Sequence, residues 1–150
     1  MNEKRSEPQR ANSRECNDDH PEAWRARPDL RGYKDLEVYH LAFRLAMDVF
    51  EASKAFPPTE RYSLTDQIRR SSRSVPQNIA EGYRKRRYVR LFVMKMTDAD
   101  GEASETQVSL DFSFNCGYLG AKEYEELSEG YDTLGRMLGT LIAKPFKFTR

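Results

Sequence analysis

Cysteine and histidine are scarce, with two of each in 150 residues. Cys16 lies in a polar N-terminal stretch and Cys116 at a predicted helix end, so there is no disulfide framework. A reduced, cytoplasmic setting is the expectation. His20 lies in the same stretch and His40 on a predicted helix, and neither has a second histidine or cysteine at metal-ligand spacing. No apolar run approaches the roughly 18 residues that would span a bilayer. The N-terminus is too polar for a signal peptide, so a soluble chain with no membrane partner is expected. Glycine motifs are missing too: Gly101 is isolated, and no phosphate-loop or dinucleotide fingerprint is present. Glu102 and Glu105 form a helical i, i+3 pair, but neither begins the Glu-x-x-His motif of a carboxylate metal site. No serine or cysteine comes with a base in its own motif. The expectation is no enzyme, no cofactor and no metal.

The length fits one domain with an adequate core. Residues 1–32 hold seven basic and seven acidic residues and three prolines, with Trp24 and Leu30 the only large apolar side chains beyond the initiator Met1. Such a stretch cannot bury enough surface to offset its ordering entropy, so a disordered tail is expected. It would be either a binding arm or a dispensable extension. Residues 33–150 form the folded domain.

Four amphipathic helices are predicted there. The first, from about Leu36 to Ala55, carries Leu36, Tyr39, Phe43, Met47 and Phe50 on one stripe and Val38, Leu45 and Val49 on a second. Pro57 and Pro58 end it. The second begins after Ser63, expected as its cap with Asp66 completing a capping-box-like start, and runs to about Gly82 or a turn beyond. Ile68, Ser71, Ser72, Val75 and Ile79 share one face, and Pro76 is expected to bend or restart the helix. The third, from about Tyr88 to Asn115, places Phe92, Met96, Ala99, Ala103, Leu110 and Phe114 on its main stripe, with Met94, Gly101, Val108 and Phe112 on the far side and Gly117 as its stop. The fourth covers about Ala121 to Ala143, with Tyr124, Leu127, Tyr131, Leu134, Leu138, Leu141 and Ile142 on one face, and Pro145 ends it. Short connections between such helices predict an all-α, antiparallel up-down-up-down four-helix bundle. A bundle needs one stripe per helix. The second stripes, Val38, Leu45 and Val49 on the first helix and Met94, Val108 and Phe112 on the third, are therefore expected at a subunit interface, against the plainer alternative of scattered surface hydrophobes.

The most specific stretch is Leu64 to Gly82, and within it Ser74, Pro76, Asn78, Ile79, Ala80, Glu81 and Gly82. With Tyr33 to Tyr39, Phe56-Pro57 before Glu60, Gly101 to Gln107 and Cys116 to Leu119, it resembles the four-helix-bundle family of 23S ribosomal RNA intervening-sequence proteins. The likeness spans Tyr33 to Lys144. It implies a four-helix bundle and a ring-forming homo-pentamer. It also implies two contexts: chains encoded within intervening sequences of ribosomal RNA genes, and similar accessory proteins of diversity-generating retroelements, which bind a reverse transcriptase and nucleic acid. Ser74, Pro76, Asn78, Glu81 and Gly82 are expected to be structural, satisfying backbone groups near the proline or holding a neighbouring helix.

Net charge is only +1, yet charge is segregated. From Arg61 to Lys95 ten basic residues face two acidic ones, and from Met96 to Asp132 ten acidic residues face Lys122 alone. Arg69, Arg70, Arg73, Arg84, Lys85, Arg86, Arg87 and Arg90 are the candidate nucleic-acid-binding set, because guanidinium groups suit phosphate and Tyr83 and Tyr88 could stack on bases. Alternatively the basic and acidic surfaces pair with each other, within a subunit or head to tail between subunits. The sequence thus supports an oligomer that binds RNA or DNA, or else a protein-only scaffold that docks a reverse transcriptase or other partner and uses its charges for assembly.

Overall fold

The computed structural model describes residues 32–147, so the tail expected over residues 1–32 lies outside them except for Gly32. Four helices, α1 (Glu37–Ser53), α2 (Leu64–Arg84), α3 (Val89–Asn115) and α4 (Ala121–Ala143), hold one core, and no strand occurs among the described residues. Single 3-10 turns flank them at Tyr33–Asp35, Pro58–Glu60 and Pro145–Lys147. Each helix packs on its chain neighbour, and α1 also packs on α4. Contacts pair the end of one helix with the start of the next: Gly82 faces Phe92, Lys95 and Met96, while Ser71 meets Thr106. Between α3 and α4, Phe114 stacks on Tyr124 and Gln107 donates to Asp132.

Helix α2 starts differently from the expectation. Ser63 makes no capping bond; its hydroxyl instead donates to Glu60 Oε2 at 2.6 Å, and that same carboxylate oxygen accepts the Leu64 N–H at 3.2 Å. The turn Pro58–Glu60 brings Glu60 over the helix start, where a carboxylate satisfies an open N–H and meets the positive end of the dipole. Pro76 does not restart the helix, which runs unbroken through it. Pro76 is buried between Val75 and Ile79, and packing of that face on the core holds the turn despite the missing N–H. At the end of α3, Gly117 adopts φ +78°, and the Tyr118 N–H reaches back to the Ser113 carbonyl at 2.8 Å, closing the helix as expected of glycine there.

The stripes of α1 are exchanged relative to the expectation. Val38, Leu45 and Val49 lie in the core of the bundle itself with Ala42, Ala46 and Ala52, which removes them from the exposed surface. Phe43 and Met47 are exposed, and Tyr39 and Phe50 sit half-buried at the edge. The reason is space. Leu45 lies against Gly130 of α4 so closely that a Cβ there would collide with it, and a face of alanine, valine and leucine permits that approach where rings would not. The main stripe of α3 is buried as expected, apart from Phe114, which is exposed at its rim against Tyr124.

Candidate nucleic-acid interface

The eight basic residues separate into two groups. On α2, Arg69 donates from Nε to Ser53 Oγ at 2.6 Å, and its guanidinium lies 4.8 Å from the Phe50 ring centre. Arg73 lies 5.3 Å from the same ring. Phe50 is a partner sequence reasoning missed, since an aromatic one helix away leaves no local signal. Arg70 is highly exposed and only loosely paired with Asp66 at 3.7 Å. The groove beside Arg70 and Arg73 is also lined by Asp66, Glu102 and Glu105, so its charge is mixed. Arg73 and Arg84 are eleven positions apart, about 16 Å along a helix at 1.5 Å per residue.

The second group surrounds the bend between α2 and α3. Lys85 is tied to Glu81 at 2.8 Å, and Lys95 reaches the other oxygen of the same carboxylate at 3.2 Å. These bonds, that to Lys85 first and to Lys95 next, hold the Glu81 carboxyl below its ordinary range. Arg86 folds onto Tyr83, 4.0 Å from the ring centre, and donates to the Tyr83 carbonyl at 3.0 Å. Arg84, Arg87 and Arg90 are exposed, and none has an ion-pair partner among the described residues. Helix α3 starts here with no acidic residue in its first turn, so the positive end of its dipole adds to the same field. The single pairing between the basic and acidic segments among the described residues is Lys95–Asp98, at 3.9 Å.

The motif residues act on the fold. Asn78 donates to both the carbonyl and the hydroxyl of Ser74, at 3.0 and 3.1 Å. Glu81 clips α2 to α3 through Lys95. Gly82 has no room for a side chain: a Cβ would lie 2.9 Å from that of Lys95 and inside the Met96 methyl. On α3, Met94, Val108 and Phe112 are exposed, at 49%, 53% and 61%. No group of three or more histidine, cysteine or acidic side chains that could hold a metal ion occurs among the described residues, and no described helix is long and apolar enough to cross a membrane.

A family model described as 23S rRNA-intervening sequence protein matches residues 34–140. The fold is similar to the crystal structure of a protein with unknown function from the S23 ribosomal protein family of Bacteroides thetaiotaomicron, with a TM-score of 0.64 and 23% identity. That match covers 70% of this chain and 97% of the other. No curated protein matches the chain.

Proposed function

The chain belongs to the 23S rRNA-intervening sequence protein family, and from that premise we propose that it is a non-enzymatic, oligomeric four-helix-bundle protein that binds RNA or DNA through the basic α2–α3 end. The observation that carries this is the trio Arg84, Arg87 and Arg90, exposed and without ion-pair partners among the described residues beside Lys85 and Lys95, which Glu81 occupies. A paired cation offers a phosphate little, whereas an open guanidinium can take it in two parallel bonds and release the counterions around it. Antiparallel up-down-up-down order belongs to the same proposal and is supported by the contacts Gly82–Met96, Ser71–Thr106 and Phe114–Tyr124. In that order the end of α2, the start of α3 and the end of α4 share one end of the bundle.

Exposed Met94, Val108 and Phe112 support assembly into a homo-oligomer, for which the family likeness suggests a pentamer. They also favour the second reading, a scaffold that docks a protein partner. Light scattering of the purified protein with and without a generic RNA, at low and moderate salt, tests the proposal. A shift to a larger complex at low salt is the expected result, and an assembly indifferent to RNA would leave the scaffold reading. The variant Arg84→Glu/Arg87→Glu separates the roles of the charges. Lost RNA binding at unchanged oligomer mass is expected, and a fall in mass would make the patch a subunit contact instead.

A further inference from the structure

We propose that the basic end is a single-strand platform, on which Tyr88 and Phe146 stack with unpaired bases while Arg84, Arg87 and Arg90 hold the backbone. This deepens the function proposed above and rests on it. Tyr88 and Phe146 are 63% and 67% exposed. The Tyr88 ring is open while its backbone is pinned: its N–H donates to the Lys85 carbonyl at 2.9 Å, and its own carbonyl accepts from Leu91 and Phe92 at 3.0 and 3.1 Å. A ring on a fixed backbone needs little further ordering to receive a base. Tyr83, the other ring flanking the arginine run, is covered by Arg86.

Phe146 comes from a segment with no role in the sequence reading beyond ending α4. Pro145 is buried, and the turn Pro145–Lys147 packs on both α3 and α4. Gly135 of α4 lies beside Asp100, and Gln107 meets Asp132, so later residues of α4 lie toward the start of α3. Eight residues beyond Gly135, the end of α4 is about 12 Å nearer that start. Its contact with α3 therefore lies toward the start of that helix, which puts Phe146, Lys144 and Lys147 at the end that carries Tyr88 and Arg90. Arginines that hold only the phosphate backbone would serve a duplex equally well. Exposed rings among them need an open base face, which a single strand offers and a stacked duplex withholds.

The test is fluorescence anisotropy with the full chain and three labelled probes: oligo(U), oligo(dT) and an RNA duplex of equal length. Tighter binding of the single strands is expected, with Tyr88→Ala and Phe146→Ala each weakening them roughly five- to a hundredfold and leaving the duplex unchanged. Equal or tighter binding of the duplex, or alanine variants that bind like wild type, would overturn the inference. If Arg84→Glu/Arg87→Glu/Arg90→Glu abolishes binding in that same case, the basic-end function survives without the stacking. If that triple variant binds like wild type, the function proposed for this end falls and the inference with it.

Discussion

Gly82 and Glu81 show how the motif acts at the scale of single residues. Gly82 lets α2 and α3 meet where any side chain would displace Lys95 and Met96. Gly82→Ala is expected to cost about 1–3 kcal/mol through overpacking, read as a lower urea midpoint. An unchanged midpoint would show that the neighbours give way freely. Glu60 makes a pH-dependent contribution. Its bond to the Ser63 hydroxyl, then that to the Leu64 N–H, holds its carboxyl below the ordinary 4.5. A carboxyl lowered in the folded state stabilises above 4.5 and loses that effect as pH falls through its lowered value. Glu60→Ala should therefore melt below wild type at neutral pH, with the gap narrowing on acidification; a gap constant with pH would contradict the capping role. The motif stood out in the sequence, but this cap did not. Ser63 and Asp66 have the right spacing for a capping box, and only the 3-10 turn before them shows that Glu60 arrives first.

At the scale of the helix, periodicity gave α4 its bounds, Ala121 to Ala143, and the end of α3 at Asn115. It did not say which of two apolar stripes on α1 faces inward. The stripe of Leu36, Tyr39, Phe43, Met47 and Phe50 was the expected inner face, but the room between α1 and α4 is set by Leu45 against Gly130, a pairing across the fold that no local pattern encodes. Leu45→Ala should accordingly lose about 2–5 kcal/mol as a buried truncation. Phe112→Ser, on an exposed face, should stay within about 0.5 kcal/mol of wild type in subunit stability. Under the proposed assembly it should lower the oligomer mass measured by light scattering. A Leu45→Ala protein as stable as wild type would contradict the assignment of the α1 core. An unchanged mass for Phe112→Ser would remove that residue from the interface. Pro76 makes a similar point: local propensity forecast a bend or a restart, and the helix runs through it without a restart, with Pro76 buried between Val75 and Ile79.

Across the whole molecule, near-neutral charge conceals a basic end and an acidic flank on α3 and α4, joined within the chain by Lys95–Asp98 among the described residues. The run from Arg84 to Arg90 was plain in the sequence because five of its seven residues are cations. Which of them are open was not, because that depends on Glu81 taking Lys85 and Lys95, on Tyr83 taking Arg86, and on Phe50 lying beneath Arg69 and Arg73. The most direct test of the account is titration of a labelled single-stranded RNA with wild type and Arg84→Glu/Arg87→Glu/Arg90→Glu across a salt series. Binding by wild type should weaken with salt at a log–log slope of roughly −0.7 per phosphate contacted, near −2 for three arginines, while the variant loses binding at unchanged oligomer mass. Equal affinity of the two proteins, or binding indifferent to salt, would contradict it.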